Sequence, residues 1–118
     1  MYEGFEMKSF EDLQSLHNWL VDNYQSSPGI WVRLYRVNSK IPSVTFLEVL
    51  EEGLCYGWSE NLRHPYDDVS YLQRFTPRKG KATESERNKK LIMKLENEGR
   101  MTQHGYDALG MKNPTGSN

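Results

Sequence analysis

Cysteine occurs once in this chain, at Cys55, so no internal disulfide can form and nothing draws the protein toward an oxidising compartment. Long apolar runs are absent as well: no window approaches the roughly 18 apolar residues that a membrane-spanning helix needs. The opening residues, Met1-Tyr2-Glu3-Gly4-Phe5-Glu6, carry neither the basic nor the apolar stretch of a secretory signal, and the expected compartment is the cytoplasm. Histidine is scarce and scattered (His17, His64 and His104), and Cys55 has no partner at zinc-ligand spacing, so no metal site is expected. There is no Gly-rich turn leading into a helix and no Gly-Lys-Ser/Thr segment, which removes the phosphate-cradling loops and leaves no cofactor to expect. Repeats, linkers and low-complexity segments are missing too.

What is present is one domain's worth of chain. The 118 residues suffice for a single core, and Trp, Tyr and Phe supply 12% of them, each burying enough area to build that core although the mean hydropathy is low. Residues 1–111 are expected to form the domain and 112–118 a frayed tail. The net charge of −1 hides an asymmetry: residues 1–60 hold nine acids against four bases, residues 61–118 seven against eleven. The extreme is the window 74–94, where Arg74, Arg78, Lys79, Lys81, Arg87, Lys89, Lys90 and Lys94 face only Glu84 and Glu86. Such a block either concentrates anions or forms a solvated helix face preceded by a basic loop.

The pattern of elements follows from capping and periodicity. Ser9 with Asp12 reads as a capping box for a helix carrying Phe10, Leu13, Leu16 or His17, Leu20 and Tyr24, ended by Ser26-Ser27-Pro28-Gly29. Ile30 to Tyr35 alternates with period two, sending Ile30, Val32 and Leu34 to a core and Trp31, Arg33 and Tyr35 to the other face. Thr45 with Glu48 caps a second helix with Phe46, Val49, Leu50 and Leu54 on one side, bracketed by Gly53 and Gly57. Trp58–Leu62 and Val69–Phe75 are expected as antiparallel strands around a loop at 64–68, with Thr76-Pro77 stopping the second. Thr83 with Glu86 reads as a third capping box, Gly99 as its helix's C-terminal stop, and Thr102 as the start of a short last helix with Tyr106 and Leu109 inward. The order α-β-α-β-β-α-α predicts an α+β domain: a small, mostly antiparallel three-stranded sheet packed with about four helices.

Two segments carry the functional signal. Leu54-Cys55-Tyr56-Gly57-Trp58-Ser59-Glu60-Asn61 and Tyr71-Leu72-Gln73-Arg74-Phe75-Thr76-Pro77-Arg78 place rings and cations on runs that can lie side by side. With Ser27-Pro28-Gly29-Ile30-Trp31-Val32-Arg33-Leu34, Thr45, Glu48, Asn88 and Gly99-Arg100-Met101-Thr102, they make the chain resemble, over about residues 9 to 106, the small bacterial YdeI/OmpD-associated proteins, also called bacteriocin-protection proteins. The resemblance implies a non-catalytic binding or stress-protection module and no established reaction. The chain departs from that pattern at Ser59-Glu60, where the family continues Ile-Asp, and at Glu84, where it carries tryptophan; Ser85 and Asn88 remain.

Strand alternation puts Val69, Tyr71, Gln73 and Phe75 on one face and Ser70, Leu72 and Arg74 on the other. Arg74, Arg78 and Lys81 can then converge near the N-terminus of the third helix, where free N–H groups favour anions. The candidate ligand site is therefore Trp58, Glu60, Tyr71, Arg74, Arg78, Lys81 and Asn88, suited to a small anion; a structural role for Trp58 and Phe75 in the core, with Arg74 paired to an acid, fits the same residues. Two other classes stay open: a nucleic-acid module using the basic window with Tyr71 or Trp58 as a stacking platform, and an enzyme with Glu60 as general base. Cys55, beside the end of the second helix, is expected to be buried and inert. Asp67 and Asp68 read as turn residues rather than an acid–base pair.

Overall fold

The computed structural model describes residues 1–79 and 85–114. They form an α+β fold of four strands and four α-helices: β1 (Glu6–Ser9), α1 (Leu13–Asn23), β2 (Ile30–Tyr35), α2 (Phe46–Tyr56), β3 (Trp58–Pro65), β4 (Ser70–Pro77), α3 (Glu86–Asn97) and α4 (Gln103–Leu109), with a single 3-10 turn at Val37–Ser39. The strand order is β1-β2-β4-β3. This corrects the expected sheet in two respects. A fourth strand, β1, lies at one edge, and it pairs parallel with β2 (Glu6 opposite Ile30, Ser9 opposite Arg33), the crossover being α1. Four residues with no apolar alternation give no sign of a strand; its partner β2 imposes the conformation.

That pairing explains a second correction. Ser9 cannot cap α1 because its backbone belongs to β1, and the cap falls to Asp12, whose Oδ1 accepts from the Ser15 amide at 2.8 Å and the Ser15 hydroxyl at 2.7 Å. Those bonds, the hydroxyl's first, hold the Asp12 carboxyl below its ordinary range. The third helix is capped by Ser85, whose hydroxyl accepts from the Asn88 amide; Thr83, the expected cap, lies outside the described residues. The capping box at Thr45 and Glu48 is formed in full, and Gly57 ends α2 with φ of 77°. β3 runs on through Pro65 and β4 through Pro77, so the loop is shorter than expected and Pro77, at the strand's last position opposite Trp58, ends the ladder without breaking it. Thr102 caps α4 as expected, with Tyr106 and Leu109 buried. Of the expected tail, Asn113 is buried and its Nδ2 donates to Gln103 at 3.1 Å.

The core has two parts. Ile30, Val32 and Leu34 of β2 and Phe75 of β4 face Leu16 and Leu20 of α1, Val49 of α2, and Trp58. Behind α2, Leu50, Leu54 and Cys55 meet Ile92 and Leu95 of α3 and Leu109 of α4. Sandwiched between these layers, α2 is buried continuously from Val49 to Cys55. Two carboxylates, Glu51 and Glu52, are thereby carried inside, and their partners come from elsewhere: Lys94 holds Glu51 at 2.8 Å, and Arg100 bridges Glu51 at 3.4 Å and Glu52 at 3.0 Å. The sheet's other face is covered by the N-terminal residues, with Tyr2 edge-on to Trp31 and the His64 ring stacked on Trp31 at 4.7 Å. Among the described residues no helix is long and apolar enough to cross a membrane.

Candidate functional site

The register of β4 against β2 sets the face on which its cation stands. Phe75 lies opposite Ile30 and Gln73 opposite Val32, both toward the helices; Arg74 lies opposite Trp31, away from them. There the guanidinium of Arg74 rests over the Phe5 ring, 4.8 Å from its centroid. Its Nε is buried with no hydrogen-bond partner, and among the described residues Arg74 makes no ion pair. An unsatisfied guanidinium N–H at such a position is costly unless something outside the chain accepts from it.

The neighbours of Arg74 supply the rest of a cleft of about 370 Å³, lined by Phe5, Pro28, Ser59, Asn61, Thr76, Pro77, Arg78 and Lys79 besides Arg74 itself. Asn61 donates from Nδ2 to the Thr76 hydroxyl at 3.2 Å. Alternation from the buried Trp58 puts it on this face with Ser59, at the point between Glu60 and Leu62 where the ladder with β4 shifts register. Arg78 is fixed by its backbone amide, which donates to the Gly57 carbonyl at 2.9 Å. Next to the lining residue Pro28, Gly29, at φ of 136°, is packed so closely that a Cβ there would stand 2.6 Å from the Thr76 methyl and 3.2 Å from the Phe5 ring. Only glycine lets the loop, the Phe5 ring and Thr76 close around one space. Among the described residues, three cations, two hydroxyls and an amide line the cleft, and no carboxylate does. Chemically this is a donor-rich, positively charged recess that favours an oxyanion.

The seven expected site residues part company here. Arg74 and Arg78 share the cleft. Trp58 is wholly buried in the core, its indole donating to the Tyr24 carbonyl at 3.1 Å and its ring 4.9 Å from Phe75, so it offers no face to a ligand. Glu60 stands opposite Phe75, half-buried and outside the cleft. Tyr71 is at the other end of β4, covered by Arg63 at 4.4 Å and Arg36 at 5.4 Å. Asn88 is buried in the first turn of α3, and no α3 residue lines the cleft. Lys81 lies outside the described residues. Ser59, Asn61, Thr76 and Lys79 join the two arginines without having been singled out; Thr76 and Lys79 flank them in sequence, whereas Phe5 had no signal before β1 was placed.

Cys55 lies in the last turn of α2, buried, and burial above all, with Glu52 nearby, pushes its thiol up to about 12. A thiol-reactive disulfide reagent at pH 8 is therefore expected to leave the native chain unmodified while the denatured chain reacts completely. Prompt labelling of the native chain would contradict this burial.

With the fold and cleft in place, the chain is identified as a member of a protein family: the model of the Domain of unknown function (DUF8412) matches residues 8–108, from β1 to α4. No curated protein matches the chain. No solved structure matches it either.

Proposed function

We propose that this domain is a non-catalytic binding module for a small oxyanion, seated between Arg74, Arg78 and Lys79. The observation that carries the reading is the buried, unaccepted Nε of Arg74 in a cleft where, among the described residues, no carboxylate stands. A strand fixes the backbone of Arg74 and Phe5 fixes the plane of its guanidinium, so the fork is aimed before any ligand arrives. The segment Tyr71 to Arg78, which resembles the YdeI/OmpD-associated proteins, also supplies most of the cleft's charge. On that likeness the proposed setting is the bacterial cytoplasm and the proposed role is stress protection.

The nucleic-acid reading draws less support: Trp58 is buried, Tyr71 is covered by arginines, and part of the basic window is engaged by acids, with Lys89 at Glu86 and Lys94 at Glu51. Glu60 has no partner among the described residues that would make it a base.

The test is a titration of the intact chain with phosphate, sulfate and citrate, followed by NMR. At least one anion is expected to perturb Arg74, Arg78 and Asn61 together. Arg74→Lys keeps the charge and loses the planar fork, so affinity should fall by about tenfold while the melting temperature stays nearly constant. Failure of all three anions to perturb these residues at millimolar concentration would remove the proposal. So would a large loss of stability in Arg74→Lys with unchanged anion affinity.

A further inference from the structure

A second cleft, of about 810 Å³, shares no residue with the first and is built from helices and their turns: α1, α2, the segment 99–102 and α4. One wall is a chain of rings. His17 meets Tyr56 with centroids 5.8 Å apart, Tyr56 meets Tyr24 at 5.2 Å, and Tyr24 meets His104 at 4.8 Å. All four line the cleft and none is buried.

At the end of this wall the tautomer of His17 is set by a buried group. Its Nδ1 lies 2.8 Å from Oε1 of Glu52, a side chain only 4% exposed whose other oxygen is held by Arg100 at 3.0 Å. A carboxylate oxygen facing the ring accepts, so in the neutral tautomer that fits this contact Nδ1 is the N–H. In that tautomer Nε2 is a lone-pair acceptor, and it has no partner among the described residues. Arg100 is itself committed to Glu51, Glu52 and Glu98 at 3.0–3.4 Å, so this cleft, unlike the first, holds no cation free for an oxyanion. Asp107 is engaged by Gln103 at 2.8 Å. A wall of rings ending in a fixed hydrogen-bond acceptor, with its arginine already paired, suits a flat, uncharged ligand that donates from its ring.

We propose that this cleft binds a planar nitrogen heterocycle bearing a ring N–H, of the nucleobase type, which stacks on the Tyr24, Tyr56 and His104 wall and donates to Nε2 of His17. A site built around one buried-partner hydrogen bond rejects an analogue that lacks the donor far more strongly than a purely apolar surface would. Ring stacking alone would be tolerant of that change.

The experiment titrates the intact chain by NMR with uridine and inosine, each against its analogue methylated at the ring N–H. At least one nucleoside is expected to shift His17, Tyr24, Tyr56 and His104 and leave Arg74 and Arg78 unmoved, and its methylated analogue should bind about tenfold or more weakly. His17→Phe retains a ring and removes the acceptor, so it should bring nucleoside and analogue to equal affinity. His104→Ala, at an exposed position, should weaken both alike without altering the fold, and it keeps the test decisive if His17→Phe does not fold. Equal binding of nucleoside and methylated analogue by the native chain, perturbation confined to the Arg74 cleft, or no perturbation at millimolar nucleoside would each overturn the proposal.

Discussion

Trp58→Ala is expected to lower stability by about 4 kcal/mol, the middle of the range for deleting a fully buried large aromatic. Trp58 has no exposed surface, its ring packs against Trp19 and Phe75, and its indole N–H satisfies the Tyr24 carbonyl at the end of α1. Its loss leaves a cavity between sheet and helix and strands that carbonyl. Against a total of roughly 5–15 kcal/mol for a domain of this kind, one substitution would consume a large share. Trp58→Phe keeps most of the volume and should cost far less, of the order of 1–2 kcal/mol, most of it the lost hydrogen bond. Urea unfolding of both variants measures this. A residue lining a ligand site would behave the opposite way, with near-native stability and altered binding.

Arg100→Ala should be nearly as damaging, at about 3 kcal/mol. The guanidinium sits in the turn after α3 and spans Glu51 and Glu52, two adjacent carboxylates 5% and 3% exposed. Removing it leaves Glu51 with Lys94 and Glu52 with His17 alone, in a place where an uncompensated charge cannot be hydrated. Arg100→Lys should recover only part of the loss, because a single ammonium cannot serve both acids at the required spacing. The double change Glu52→Gln with Arg100→Met removes the charge on both sides and should be milder than Arg100→Ala alone. If Arg100→Ala melts with the native chain, the carboxylates are hydrated in solution and the described burial of α2 is wrong.

Local signals carried much of this fold. Ile30 to Tyr35 is a strand because alternation and a preceding Pro-Gly say so, and Thr45 with Glu48 starts a helix because both halves of its capping box are short-range. Where two cap residues competed, as at Ser9 and Asp12, the choice was made by a strand pairing that no local pattern encodes. The same holds for the burial of Glu51 and Glu52, which no local pattern signals; the arginine that bridges them lies 48 residues beyond Glu52. Alternation placed Arg74 on the correct face, yet it could not bring Ser59 and Asn61 beside it, because the register of β3 on β4 is set by the pairing and shifts between Glu60 and Leu62. The second cleft was the least legible, since its four rings come from three helices.

The order β1-β2-β4-β3 also bears on how the chain is made. A ribosome delivers β2 long before β4, the strand that fills its antiparallel edge, and β3 emerges with no neighbour to pair with until β4 follows. Until residues 70–77 are made, the edge of β2 that β4 will fill, with Ile30, Trp31, Val32 and Leu34, has no partner within the chain and is open to pairing with other chains. The sheet becomes closed to strangers only when Ser70 to Pro77 slides between its two waiting partners. Protection during translation thus falls to whatever shields that edge, and a polypeptide interrupted before β4 has no smaller folded form in which to hide it.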